Sequence, residues 1–291
     1  MDIRAIALGL AFALMWSSAF TSARIIVADA TPLAALAARY LLSGIVGIAI
    51  ARAMGQSWQL TPAQWRATIL FGFLQNAVYL GLFFVAMQTI EASFAAIIAS
   101  TMPLMVGFAA WAFMGERLGN LGIAGLVAGF VGVVLIMGAR VGAGADLWGV
   151  ALCVVGVTAL AIATLTVRGA STGGNLMMVV GLQMLVGFAA LTVATLLFET
   201  PQVTLSTPLI LAFLYTCFVP GLLATLVWFW LVGRIGATKA ATFHFLNPFF
   251  GVAIAALLLG EALGPRDILG VIIIAAGILA VQVSRQSARK V

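Results

Sequence analysis

Charge is scarce in this chain of 291 residues: 14 Lys and Arg, 8 Asp and Glu, and a single histidine. A soluble domain of that length must clothe its surface in polar groups. Here 64% of residues are hydrophobic and the mean hydropathy is +1.21, the composition of a polytopic membrane protein. Histidine and cysteine are too few for a metal set, and no cofactor motif is present. Cys153 and Cys217 stand inside apolar runs and read as small core residues without a disulfide. The basic residues sit singly at the ends of apolar runs, which suits orientation in a bilayer and argues against nucleic acid as a partner. The shortage that matters most is of acids at depth. Asp2, Asp29, Glu91, Glu116, Asp146, Glu199, Glu261 and Asp267 all lie at or near run ends, whereas proton- or sodium-coupled carriers usually keep an Asp or Glu inside the membrane.

What is present is length and repetition. Ten apolar runs are each long enough to cross ~30 Å of hydrocarbon as a helix. They cover 3–27, 33–53, 65–88, 92–115, 119–138, 147–168, 175–198, 207–232, 236–259 and 266–284. Connections such as Asp29-Ala-Thr-Pro32 are so short that consecutive helices are antiparallel neighbours, with no room for a soluble domain. The stretch from Met102 to Gly132 is written again from Asn247 to Gly277. Pro103 answers Pro248, Gly115-Glu116 answers Gly260-Glu261, Leu118-Gly119 answers Leu263-Gly264, and Gly125 and Gly132 answer Gly270 and Gly277. These matches share one register and mark an internal duplication, with repeats over 1–142 and 143–291. The first run could pass for a signal peptide, but it is long, and Asp2, Ala7, Leu8 and Arg24 recur as Asp146, Ala151, Leu152 and Arg168. It reads as a retained span. Arg4, Arg52, Arg66, Arg117, Arg168, Arg234, Lys239, Arg285, Arg289 and Lys290 fall on the side shared by the termini, which positive-inside bias makes cytoplasmic. Five spans per repeat is an odd number, so the second copy enters upside down. The expected fold is all-α: ten transmembrane helices as two inverted five-helix repeats, with a site near the midplane where the halves meet.

Polar groups and prolines inside the runs are the candidates for function. Pro103 and Pro248 lie about halfway along the fourth and ninth runs, where each displaces the carbonyl four residues back, Ala99 or His244. A freed carbonyl in hydrocarbon must face protein, water or a ligand. Ser100 and Thr101 beside one break, and His244 and Asn247 beside the other, favour a cavity over a plain kink. Gln75, Tyr79 and Phe83 are spaced four apart on one face of the third run, with Asn76 adjacent. Interhelical hydrogen bonding and a wet cavity explain that amide pair equally well. The eighth run answers with Tyr215, Pro220 and Trp228, and the first offers Trp16, Ser17, Ser18 and Phe20. Arg39 either snorkels to the outer interface or serves as a gate or carboxylate-binding cation; its mirror position carries Gln183. Trp58, Trp65, Trp111 and Trp148 read as interface anchors. Gly122, Gly125, Gly129 and Gly132, with Gly270 and Gly277, mark close helix contacts, within one chain or between chains.

The start ALMWSSAFTSARI, the TPLAALAARYLL entry to the second helix and the paired P…GE.LG…G…G hairpins resemble the drug/metabolite transporter (DMT) superfamily. The EamA-type ten-helix members fit over the whole chain, and the YddG-type exporters of amino acids and methyl viologen are the nearest pattern. The resemblance implies a central cavity among helices 1, 3, 4, 6, 8 and 9, with Arg39 matching the family's helix 2 arginine. It also implies export of aromatic and other amino acids by alternating access, with no enzyme activity and no cofactor. A bacterial inner (plasma) membrane is the expected location, with lipid and a small-molecule substrate as partners and the monomer as the unit. A drug or toxic-cation exporter is the rival, since aromatic faces bind cations without a carboxylate. A membrane-embedded lipid-modifying enzyme is the remote alternative, because it would need a base, a nucleophile or a metal set that these residues do not provide.

Overall fold

The computed structural model describes residues 3–116, 118–166, 173–235, 240 and 242–288. Ten helices in it are long and apolar enough to cross a membrane: α1 (Ile3–Asp29), α2 (Pro32–Ala53), α3 (Pro62–Ala86), α4 (Ala92–Phe113) and α5 (Asn120–Gly142), then α6 (Leu147–Thr166), α7 (Leu176–Phe198), α8 (Thr207–Ile235), α9 (Thr242–Leu259) and α10 (Pro265–Ser284). Among the described residues the only β pairing is one isolated bridge, between Ala30 and Val203. The expected start of the ninth helix at 236 falls on 236–241, of which only Ala240 is described. Arg117, Arg168, Lys239, Arg289 and Lys290, counted for orientation, also lie outside the described residues.

Helix ends follow local chemistry. Helix α3 begins at Pro62, three residues before the start expected from hydropathy, because Thr61 and Gln64 close a capping box over its first turn. Ser206 caps α8 by accepting from the Leu209 N–H. Asp146 accepts from the N–H groups of Trp148 and Gly149 at the start of α6. Gly115 and Gly260 both adopt left-handed backbone at φ 68°, so the duplicated Gly-Glu ends α4 and α9 with the same turn.

The contacts divide the chain into two units, each of which draws on both repeats. One holds Ser22–Thr89 and Ala151–Leu222. In it α2 packs along α7, its counterpart in the second repeat, and the two run antiparallel. The start of α2 is held by Glu199 beyond the end of α7, while Gln56 beyond the end of α2 accepts from Met178 at the start of α7. Small residues permit the approach: a Cβ on Gly181 would stand 2.9 Å from the Ile48 nitrogen.

The second unit holds Met1–Thr21, Ile90–Val150 and Leu223–Val291. Here α5 packs along its own counterpart α10, again antiparallel, with Ser284 accepting from the Gly119 N–H at one end and Arg140 bonded to Asp267 at the other. The glycine contacts are therefore made within the chain. A Cβ on Gly277 would meet the Gly125 carbonyl at 2.6 Å, and one on Gly270 would meet the Gly132 carbonyl at 3.0 Å. In both units a helix lies beside its mirror and points the other way, which is the inverted repeat.

Candidate functional site

The expected breaks are present in both repeats. Helix α4 is helical over Ala92–Ala99 and again from Met102, with Ser100 and Thr101 between. Pro103 stands in the first turn of the second piece, where a missing N–H costs nothing. The Ser100 hydroxyl bonds back to the Ala96 carbonyl and that of Thr101 to the Ile98 carbonyl. Helix α9 opens with a tight 3-10 turn over Thr242–Leu246 before its α-helical part starts at Asn247, with Pro248 again in the first turn.

The α9 break gathers the richest cluster. The Asn247 amide lies 2.9 Å from His244 Nδ1; with the amide donating, the ring proton sits on Nε2. Ser17 of α1 donates to the Asn247 carbonyl at 3.2 Å. Three rings wall the imidazole: Phe12 edge-on at 5.3 Å between centroids, Trp16 edge-on at 6.3 Å and Trp228 at 5.2 Å. Asn247 Oδ1 is buried with no partner, a lone acceptor inside an aromatic enclosure. Phe20 is buried one turn further along α1. Trp16, Ser17, Trp228, His244 and Asn247 thus come together, while the Ser100 hydroxyl is engaged on its own helix.

The remaining candidates belong to the other unit. Asn76 is buried and donates to the Gln183 carbonyl at 2.9 Å, tying α3 to α7 through an interhelical bond. Gln75 reaches the Asn76 side chain only at 3.5 Å. Tyr79 and Phe83 are buried and pack ring to ring at 4.7 Å, and a Cβ on Gly156 of α6 would strike Phe83 at 2.9 Å. Tyr215 is 38% exposed. Pro220 lies inside a π-helical stretch of α8, Cys217–Leu223. Arg39 is buried, and Cys153 and Cys217 are free and buried.

The EamA-like transporter family model matches this chain twice, over residues 3–138 and 147–282, one match to each repeat. The chain belongs to the EamA-like transporter family. Proteins similar to it include an uncharacterized transporter of Bacillus subtilis, YvbV, 25% identical over 94% of this chain and 90% of that one. An uncharacterized transporter of Synechocystis, sll0355, is 22% identical over 88% of this chain and 83% of that one. A WAT1-related chloroplastic protein of Arabidopsis thaliana is 24% identical, with 64% of its length covered. A solved crystal structure matches with a TM-score of 0.71 at 19% identity, covering all of both chains, and speaks for the fold alone.

In this EamA-like transporter two devices escaped the residue-by-residue reading. Helices α3 and α8 each contain a π-helical stretch, Gly72–Tyr79 and Cys217–Leu223. At the offset that superposes Pro103 on Pro248, the second begins on the residue that answers the start of the first. Proline signals the break only in α8. Glutamates form the other device. Glu199 accepts from the N–H groups of Leu33 and Ala34 at 2.9 and 3.0 Å, and Glu261 from those of Ala92 and Ser93 at 2.8 and 2.9 Å. A carboxylate at a helix N-terminus meets both unpaired donors and the positive end of the dipole. Nearby, Arg140 holds both Glu91 and Asp267.

Proposed function

We propose that this EamA-like transporter exports amino acids, aromatic ones among them, across a bacterial plasma membrane in which both termini are cytoplasmic. The observation that carries the reading is the enclosure at the α9 break: His244 and Asn247 walled by Phe12, Trp16 and Trp228. Broad aromatic faces accept apolar and aromatic side chains, and a few fixed polar groups set orientation. The broken helices α4 and α9 are natural flexing points for alternating access. A sugar phosphate would call for several basic residues, and the described polar groups of this enclosure are neutral side chains. Neither an enzyme role nor a cofactor is needed, and one chain is a sufficient unit.

A second reading follows from the same rings, because aromatic faces also attract organic cations. Proteoliposomes separate the two. Export of radiolabelled L-phenylalanine and L-leucine, with methyl viologen ignored, is the expected result. Transport of methyl viologen without either amino acid would transfer the protein to the cation exporters.

A further inference from the structure

Helix α4 changes partner at its break. Ahead of the break every residue of Ala92–Ala99 is buried, and Ala96 packs on Gly251 of α9, where an added Cβ would stand 2.5 Å from it. Beyond the break, Leu104 occupies the place of a side chain at Gly129 of α5, and a Cβ on Gly107 would stand 2.9 Å from Val281 of α10. The second piece of α4 therefore belongs to the α5–α10 pair, which close backbone contacts hold together. The first piece is a rod of 8 residues with Ser100 and Thr101 as its hinge. Glu261, just past α9, accepts from the first N–H groups of the rod and ties its start to α9 as well.

One side chain fastens the free end of this rod to the α5–α10 pair. Arg140, near the end of α5, gives its Nε to Asp267 of α10 at 3.0 Å and its Nη1 to Glu91, the residue before the rod. The two carboxylates are unlike. The Asp267 side chain is only 7% exposed and also accepts from the Gly264 N–H at 2.8 Å, so it is an anchor. The Glu91 side chain is 44% exposed, and water and salt compete for an ion pair that open. Arg140 Nη2 is buried without a partner among the described residues, so the guanidinium is held by these two acids alone. It also has room to move. A cavity of about 400 Å³ lies beside it, between Ala139 and Ala143 on α5 and Ala262 and Gly264 in the loop from α9 to α10.

A rod with a hinge at one end, a water-exposed ion pair at the other and a cavity beside that pair is arranged for release. We propose that Glu91 and Arg140 form a latch. Closed, it holds Ala92–Ala99 to the α5–α10 pair; broken, it lets the rod swing about Ser100 and Thr101 in each transport cycle. Asp267 keeps Arg140 in place to re-engage, and Glu261 stays with the rod. The latch rests on the alternating-access reading and is indifferent to the cargo; in the orientation proposed above it faces outside. A permanent brace is built differently in this chain. The seam between α5 and α10 sets glycine against backbone and needs no charge along its length.

Ser93→Cys, a small change at a fully buried position of the rod, reports whether the latch opens. In full-length protein in detergent, its reaction with a maleimide, read by peptide mass spectrometry, should quicken about threefold between roughly 50 mM and roughly 1 M sodium chloride as the ion pair is screened. Adding Arg140→Gln should raise the rate about fivefold and abolish the salt response. No salt response in Ser93→Cys alone, or one that survives Arg140→Gln, would overturn the latch. If Arg140→Gln does not fold, the salt response of Ser93→Cys decides. A second arm asks whether the latch must open for transport. In proteoliposomes, Glu91→Cys with Arg140→Cys is joined by a bis-methanethiosulfonate that dithiothreitol reverses. L-phenylalanine flux should fall about tenfold on joining and return on reduction. Undiminished flux in the joined protein sinks the latch and leaves the amino-acid reading intact. No flux even before joining removes the amino-acid reading, and the labelling result still judges the latch.

Discussion

Asn247 shows what a single residue does at the α9 break. Its backbone carbonyl accepts from Ser17, its amide tethers His244, and its own Oδ1 stays without a partner. Replacement by alanine leaves the backbone bond in place and frees the imidazole. Asn247→Ala should lower amino-acid flux by about tenfold, the equivalent of one hydrogen bond, with insertion and folding unchanged. Trp148→Leu, on an exposed anchor, should leave flux alone. The sequence pointed to Asn247 and His244 because polar groups beside a proline at that depth are locally visible. Glu199 illustrates the opposite case. Its place at a helix end was legible, but its partners lie 165 and 166 positions away, and only the packing of α2 on α7 brings them together. Glu199→Ala should destabilise the protein by about 1–2 kcal/mol in a detergent unfolding assay. Glu199→Gln, which keeps one acceptor oxygen, should cost less; equal losses would mean that the remaining neutral acceptor contributes nothing and that the cap depends on the carboxylate's charge.

Elements are held by glycine where two helices must touch. On α5 and α10 the sequence displayed the spaced glycines but could not say which surface they would meet. The antiparallel pairing answers that, since Gly125, Gly132, Gly270 and Gly277 face backbone of the partner helix, whereas Gly122 meets the Ser284 side chain and Gly129 the Leu104 side chain of α4. Gly277→Ala would place a methyl group 2.6 Å from the Gly125 carbonyl, and the helices must part to admit it. A loss of about 1–3 kcal/mol is expected, measured by thermal or denaturant unfolding. Gly138→Ala supplies the control, because nothing lies within 4 Å of the added carbon and alanine favours helix. Its stability should stay level or rise. The π-helical stretch of α3 was illegible for a physical reason. No proline marks Gly72–Tyr79, a single glycine at its start does not distinguish it from the many other helical glycines of this chain, and the wide turn shows only in the backbone.

At the scale of the molecule, duplication made the architecture readable: ten spans and one repeated hairpin set the topology before any contact was known. The contacts within each unit respect it. Ala30 and Thr31 meet Val203 and Gln202, while Ser57 meets Asn175, so each loop finds a partner that the odd-numbered repeat assigns to its own side. Cysteine placed at exposed Gln202 should react with an impermeant maleimide from outside the cell, and cysteine at exposed Gln59 only after the membrane is opened. The buried native Cys153 and Cys217 should stay silent in both conditions. Labelling of position 202 from the cytoplasmic side would reverse the orientation assigned by charge.

Coupling also belongs to the whole molecule, because a carried proton must be bound on one side and released on the other. Every carboxylate among the described residues sits at or near a helix end, and several are already engaged there: Glu199 and Glu261 on helix starts, Glu91 and Asp267 on Arg140. His244 is the only histidine, and histidine is the side chain that ordinarily titrates near neutrality. With Nδ1 facing the Asn247 amide and aromatic rings around it, the imidazole is placed as a fixed wall rather than as a shuttle. A carrier that moved one charge per cycle would feel ~2.3 kcal/mol for every 100 mV of membrane potential. The expected behaviour is instead net flux of a neutral amino acid set by its own gradient. A pH step or an imposed potential across the liposome should leave that flux unchanged, as should His244→Leu apart from a loss common to all substrates. Uphill accumulation on a proton gradient, abolished by the same substitution, would make His244 the proton carrier and replace the uncoupled cycle with an exchanger.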